Sequence, residues 1–323
     1  MPKPTYVVGI DLGGTNMQVG VVDASFTIVG RSKAKTKAEQ GGDAVVERMA
    51  EAVAEACDRA GVKPQAIEAI GIGAPGAIDM ERGIVLEAPN LRWNHMPLAE
   101  RMSARCAGRP VLLDNDVNVA VYGENRLGAG QNARDVLGVW IGTGIGGGLV
   151  LNGSLYYGSL GTAGEIGQAI LFPGAPLGLR TLEQNCSRKH LAGRLSRLIE
   201  ANHPSMLLQL AGGTIDGVAE AGASTLAEAY AKGDRLTIEV LDEAAVMLGT
   251  AISAYVTVLS LPMVILGGGL SEAMGQAFAD RVAGAMKPHV FPKALQACRV
   301  VTTRLADDAG LLGAAILAHE KFG

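Results

Sequence analysis

The chain has no CxxC pair, no GK[ST] element and no surplus of basic residues. Its four cysteines, Cys57, Cys106, Cys186 and Cys298, stand far apart, the usage of a reduced cytosolic protein with isolated thiols. The histidines (His95, His190, His203, His289, His319) show no ligand spacing with one another or with the cysteines. Cys186 and His190, four apart, suit one helix face, but two ligands make no structural zinc site. A net charge of −4 lacks the basic face that nucleic acid requires. Without a Walker lysine, any bound polyphosphate must be neutralised by Mg²⁺, backbone amides and helix N-termini. Aromatic residues make up only 4% against forty-four glycines, which favours tight turns and close backbone approaches over aromatic platforms.

With 323 residues the chain suits two domains of about 150 residues each, and no low-complexity linker separates them. The first strand is expected to open at Tyr6, and the residues from Met1 to Thr5 are not expected to be a secretory leader. One run, Ala244 to Ser271, carries no charge and is long enough to span a membrane. Pro262 and the Gly267-Gly268-Gly269 triplet divide it, however, and Thr250, Ser253, Tyr255, Thr257 and Ser260 dilute it. The expectation is a buried helix to about Ser260 and a buried strand from Met263 to Leu266, with no membrane span.

What the chain does have is two glycine-rich turns, Asp11-Leu12-Gly13-Gly14-Thr15-Asn16 and Gly142-Thr143-Gly144-Ile145-Gly146-Gly147-Gly148. Each lies between two apolar, strand-like runs. Strand, glycine turn, strand is a hairpin whose N–H groups can face a phosphate with no side chain intervening. Two of them, one near the start of each half, indicate a duplicated fold that closes on a polyphosphate, hence ATP. Asp11, at a strand end beside the first turn, is placed to orient Mg²⁺ directly or through water; Thr15 and the Gly13 and Gly14 amides would hold phosphate oxygens. Gly142-x-Gly144-x-x-Gly147 and Gly71-x-Gly73-x-x-Gly76 match a dinucleotide fingerprint formally, but neither opens a helix after its strand, so NAD is rejected. Val264 to Ser271 reads as a strand, a glycine turn at Gly267–Gly269 and a helix running to Met286, a place for adenosine or phosphate against backbone.

Leu113-Asp114-Asn115-Asp116-Val117-Asn118 lies where a strand gives way to a helix spanning Asp116 to Arg126. Such residues are ordinary N-caps, yet a carboxylate here can also take the proton of an attacking hydroxyl. Asp116 is the candidate base and Asn115 a candidate substrate contact; spacing alone leaves the cap and the base readings balanced. Glu165 and Glu183 fall in an irregular stretch after the second turn, where a polyol would find paired acceptors, though taken without context either reads more readily as a surface glutamate.

Together these residues resemble the ROK sugar kinases, within the actin/hexokinase/Hsp70-like ATPase fold. The similarity runs through Asp11–Asn16, Gly71–Asp79, Ala88–Trp93, Asn115–Glu124, Ile141–Gly167, Val264–Ser271 and Asp307–Ala315, in the family's order. The resemblance implies an α/β, two-domain actin-like (ribonuclease H-like) fold with duplicated mixed sheets and an interdomain cleft. The expected division is 1–115 plus 308–323 against 116–307, hinged near Leu113–Asp116. It further implies that Asp116 is the general base and that Gly76, Asn90, Asn115, Glu165 and Glu183 line a sugar pocket. Asp11, Gly13, Gly14, Thr15 and Asn16, with Gly142, Thr143, Gly144 and Gly267–Gly269, would hold ATP·Mg²⁺.

Two departures stand out. Family members commonly carry histidine where this chain has Gln168, and a CxCGxxGC zinc motif that is missing from Leu177 to Glu183. The expectation is therefore no structural zinc, with Gln168 donating to a sugar hydroxyl instead. The activity implied is ATP-dependent phosphorylation of a hexose 6-hydroxyl, a glucokinase. The alternatives are a kinase for fructose, mannose or an N-acetylhexosamine, or a non-catalytic sugar-binding regulator. A repressor of this family would need a DNA-binding segment before Asp11. The expected partners are sugar and ATP in the cytoplasm, with no nucleic acid or membrane, and a homodimer by resemblance only.

Overall fold

The computed structural model describes residues 5–131 and 133–323. In chain order the first strands are β1 (Tyr6–Leu12), β2 (Asn16–Asp23) and β3 (Ile28–Lys35), followed by helix α1 (Gly42–Ala60). Next come β4 (Ile67–Ala74), β5 (Ala77–Asp79), β6 (Ile84–Ala88), β7 (Trp93–Met96), α2 (Leu98–Arg105), β8 (Val111–Asn115) and α3 (Asp116–Arg126). The chain continues through β9 (Val136–Ile141), β10 (Ile145–Leu151), β11 (Ser154–Leu155), α4 (Leu182–Cys186), α5 (Arg188–Glu200), α6 (Leu207–Leu210), α7 (Ile215–Ala219) and α8 (Ala223–Ala231). It ends with α9 (Arg235–Leu259), β12 (Met263–Gly267), α10 (Gly268–Met274), α11 (Gln276–Met286), β13 (Arg299–Thr302) and α12 (Ala309–Phe322).

These elements form two compact units, the first holding the described residues up to 131 with Leu155–Ala163 and Asp307–Gly323, the second Ala133–Ser154 and Gly164–Ala306. The first unit's main sheet is ordered β3-β2-β1-β4-β8, the second's β11-β10-β9-β12-β13. In each, a glycine hairpin pairs antiparallel (β1 with β2, β9 with β10), and its first strand pairs parallel with a later one (β4 or β12). The same order of pairings in both sheets is the duplication that the two turns foreshadow.

Local sequence explains the elements that carry the site. Alternating Val8, Ile10 and Leu12 are fully buried, the period of a strand with one face in a core. In α1, Val45, Met49, Ala52, Val53 and Ala56 recur at three- and four-residue spacing and all pack inward. Asn115 caps α3, its side-chain oxygen accepting from Val117 N and Asn118 N. Helix α9 ends at Ser260, which adopts a left-handed conformation, and β12 follows, as the uncharged run from Ala244 requires. No helix of the described residues is long and apolar enough to cross a membrane.

Three expectations are corrected. The expected boundary at residues 115/116 fails because α3 packs along α12 and on β4, which keeps it in the first unit. Gly146, Gly147 and Gly148 lie within β10, not in the turn; a Cβ on Gly147 would come 2.3 Å from the Gly164 carbonyl oxygen, so glycine there admits a crossing segment. The helix expected from Ser271 to Met286 is two helices, broken at Gly275, whose φ of 70° is left-handed.

Helix α12 packs against its neighbours through glycine. A Cβ on Gly313 would lie 1.7 Å from the Val119 carbonyl oxygen of α3. Gly313→Ala is expected to lower the unfolding free energy by about 3 kcal/mol or more, measured in urea. Gly284→Ala, at an open helical position with nothing within 4 Å, should instead raise it by up to about 1 kcal/mol. Equal effects would show that the close helix contact is not what demands glycine.

Candidate functional site

In the first unit, Asp11 closes β1 opposite Gln18 of β2 and Gly73 of β4. The turn that follows is fastened by its own backbone. Gly13 N–H donates to Asn16 O at 2.9 Å, Thr36 Oγ1 donates to Gly13 O at 2.7 Å, and Thr36 N–H donates to Thr15 O at 2.8 Å. The Gly13 amide, expected to face a phosphate, is therefore engaged inside the turn. Thr15 and Asn16 are exposed at its tip. A Cβ on Gly14 would sit 3.3 Å from Asn90 Cβ, so Asn90, in the short 3₁₀ turn between β6 and β7, adjoins the same loop.

Asp116, the first residue of α3, accepts the Val117 N–H on Oδ1 at 2.9 Å. Its charge reaches Asp11: burial first, then the Asp116 and Asp307 carboxylates, push the Asp11 pKa up to about 7. Asp307, just before α12, has no role in the sequence reading and joins this cluster. Asn115 uses its side-chain oxygen for the helix cap, while Nδ2 donates to Gly76 O at 3.2 Å. Gly76, at φ 101°, packs where a Cβ would meet Glu87 O at 2.1 Å. The structure thus brings Asp11, Asp116, Asn115 and Gly76 to one end of the sheet, with Asn90 beside the adjoining turn.

Beneath them lies a pair that the sequence did not reveal. Asp114 is buried and accepts from Tyr157 Oη at 2.7 Å, Asn115 N at 2.7 Å and Asn118 Nδ2 at 3.3 Å. Burial raises its pKa and these three bonds oppose the rise; Tyr157 is raised by burial and then by the Asp114 charge. The carboxylate fixes the strand-to-helix junction that carries Asp116.

In the second unit, Gly142 N–H closes the turn on Gly144 O at 2.9 Å, two residues on, where Gly13 N–H reaches three residues on to Asn16 O. Glu183, in the first turn of α4, accepts the Ile145 N–H on Oε2 at 2.7 Å, and a Cβ on Gly144 would lie 2.4 Å from that oxygen. Thr143 is held by Arg188, whose Nη2 donates to Thr143 Oγ1 at 3.1 Å while its backbone N–H donates to Gly142 O at 3.0 Å. Arg188 places a cation at this turn; its only sequence signal is its position just after the N-cap of α5, Ser187. The segment around Glu165 lies against β10 because Gly147, Gly164 and Gly167 remove three Cβ groups from that contact. Glu165 is thereby brought near Glu183; its pKa is raised by burial and then by the Glu183 charge. Gln168 ends a 3₁₀ turn, exposed, its backbone N–H donating to Glu165 O at 3.1 Å. Gly267 faces the Trp140 indole and Gly268 the Ile141 backbone, with α10 starting directly from β12.

Among the described residues no three His, Cys, Asp or Glu side chains form a set able to hold a metal ion. His190 Nδ1 pairs with Ser187 Oγ at 2.8 Å, and Cys186 Sγ donates to Ala244 O at 3.8 Å.

The sequence signature of the ROK family matches residues 7–321. The glucokinase of Thermotoga maritima is 34% identical over the full length of both chains, and that of Streptomyces coelicolor 33% identical over 97% of each. Among solved structures, a ROK family glucokinase from Streptomyces griseus in complex with glucose and AMPPNP superposes with a TM-score of 0.83 at 32% identity, covering 98% of this chain and 99% of that one.

Two measurements test the geometry. Asp11 keeps its proton in the folded state to about pH 7, whereas the unfolded chain releases it near 3.8. Stability of the ligand-free protein therefore falls as pH rises across that window and levels off above it. Asp11→Asn should raise Tm at about pH 8 and give almost no gain near pH 4; a pH-independent shift would contradict the charge clustering. Tyr157→Phe should lower stability by about 1–3 kcal/mol by leaving a buried acceptor short of a donor. A double-mutant cycle with Asp114→Asn should be non-additive; simple additivity would show that the two groups do not interact.

Proposed function

The chain belongs to the ROK family, and from that membership and the site above we propose that it is an ATP-dependent glucokinase, transferring the γ-phosphoryl group of ATP to the 6-hydroxyl of glucose. The observation that carries this reading is the coupling of Asp116, at the β8–α3 junction, to Asp11 beside the first glycine turn. A sugar hydroxyl is a weak nucleophile at neutral pH. Asp116 takes its proton as the sugar oxygen attacks the γ-phosphorus in line. The bond from phosphorus to the β,γ-bridging oxygen breaks, and ADP leaves with that electron pair.

The remaining residues bind and orient. Asn115 presents its amide, because its oxygen is committed to the cap. Gly76, Asn90, Asn115, Glu165, Gln168 and Glu183 are the sugar contacts. Thr15, Asn16 and the Gly14 amide serve the phosphates at the first turn, and Gly142–Gly144 with Arg188 serve them at the second. Gly267–Gly269 receive the nucleotide. A divalent cation fits Asp11 as a single carboxylate ligand, not a metal set made by the protein alone among the described residues: burial first, then the Asp116 and Asp307 charges, hold a proton there to about pH 7, and a cation would take its place. Asp11 would hold Mg²⁺, directly or through its water shell, and the ion would neutralise phosphate charge. The reading places the protein in the cytoplasm, where ATP and free hexose meet, and as a homodimer by family likeness. Gln168, standing where relatives commonly carry histidine, favours a second reading with the same chemistry on mannose, fructose or an N-acetylhexosamine.

The test is ATP-dependent phosphorylation across glucose, mannose, fructose and N-acetylhexosamines. Glucose should give the highest kcat/KM, and Asp116→Asn should lower kcat by on the order of 10²–10⁴ with little change in glucose binding. A protein that binds a sugar but phosphorylates none would be a regulator. A variant that retains most of its turnover would remove Asp116 as the base.

A further inference from the structure

The solvent side of α9 carries no charge over its C-terminal half. Val246, Thr250, Ala254 and Val258, four apart and so on one helix face, are all exposed. Val246 is 56% and Val258 80% exposed. Beside the end of this stripe stands Phe291, 76% exposed, whose backbone N–H donates to Thr257 Oγ1 at 3.2 Å. The 3₁₀ turn Lys287–His289 packs on α9 just before it. A single exposed apolar side chain is ordinary, whereas several together mark an interaction surface.

This surface has both a projection and a recess. Glu239, Asp242, Glu243, Val246 and Met247 line an open groove of about 530 Å³ along the first half of α9. Phe291 stands beside Thr257, ten residues beyond the groove's last wall and so about 15 Å along the helix. Charge is divided the same way. Lys287 and Lys293, both exposed, flank Phe291, and neither forms an ion pair among the described residues. At the groove Asp242 is bridged to Arg281 and Glu243 to Arg194, while Glu239 is exposed and without an ion pair among the described residues. Arg235, one turn earlier, lies outside the groove lining. Projection and recess are fixed along one helix, so they cannot meet within one copy. A second copy turned antiparallel brings each to the other, with the two-fold axis near Thr250.

We propose that this face of α9 docks a second copy of the chain, antiparallel and two-fold, each Phe291 seated in the other's groove. Lys287 and Lys293 then lie beside Glu239 of the partner subunit. Thr250 and Ala254, short side chains near the axis, let the paired helices approach to about 8–10 Å. The inference rests on the homodimer reading above and gives it a surface.

Sedimentation equilibrium of the full chain tests it, with glucose phosphorylation followed in the same samples. The wild type should be a dimer. Phe291→Asp should raise its dissociation constant at least about 30-fold, the loss of a central aromatic anchor. Lys287→Glu with Lys293→Glu should raise it about 3-fold or more, and adding Glu239→Lys should recover the affinity. All these positions are exposed, and far-UV circular dichroism checks that each variant is folded. A wild type monomeric at about 100 μM would overturn both the surface and the homodimer reading, leaving the stripe to a different partner. A dimer untouched by Phe291→Asp would overturn the surface alone. Failure of Glu239→Lys to recover affinity would overturn the antiparallel pairing. Loss of the glucokinase reading would show instead as absent turnover, whatever the mass.

Discussion

Helix α12 lies closer to β1, β4 and α3 than any side chain would allow, and the candidate site in the first unit depends on that approach. Cβ atoms on Gly9, Gly71 and Gly123 would fall 2.0, 1.9 and 2.4 Å from carbonyl oxygens of Leu311, Ala314 and Ala309. Glycine at these positions brings backbone against backbone, so three elements share one register with the helix. The start of α12 is thereby pressed against the site, with a Cβ on Gly310 falling 2.9 Å from Asp11 Cγ. Asp307 is carried in with it. A helix N-terminus favours a nearby carboxylate ion, yet burial and two neighbouring carboxylates win, and Asp11 holds its proton to about pH 7. Close packing creates the electrostatic conflict, which a proton on Asp11 relieves up to about pH 7 and which, in the proposed reaction, a cation would relieve.

The two glycine turns share a backbone and differ in charge. Both close through the first glycine's amide on an oxygen two or three residues later. Around the first stand Asp11, Asp116 and Asp307; at the second, Arg188 grips Thr143 and the turn carbonyl. The first turn thus has carboxylates about it and the second an arginine.

The turns, the buried helix α9 and the β8–α3 junction were legible because each depends on local chemistry: glycine runs between apolar strands, an uncharged segment cut by proline, an N-cap. Asp114, Tyr157, Asp307 and Arg188 were not. Tyr157 meets Asp114 across 43 residues, and Arg188 meets Thr143 across 45; no local pattern marks such partners. Gly146–Gly148 misled for the opposite reason. Glycine in a run suggests a turn, while here each sits in a strand, and Gly147 leaves room for the Gly164 backbone. The domain boundary was misplaced because α3 and α12, far apart in sequence, pack as a pair.

Residues 169–185 are tied together by their own polar groups. Arg180 Nε donates to Ala175 O at 2.6 Å, its carbonyl accepts from Leu171 N and Phe172 N, and its amide donates to Gln184 Oε1. Gln184 completes a capping box with Thr181, and Asn185 Nδ2 donates to the Leu179 and Thr181 carbonyls. These bonds order the loop locally and end on α4, which carries Glu183. Because Glu183 also accepts the Ile145 amide, the order of that loop passes directly to the end of the second glycine turn. A carboxylate shared in this way cannot move toward a sugar without disturbing the turn, so in the proposed reaction sugar binding and phosphate binding are linked through one side chain.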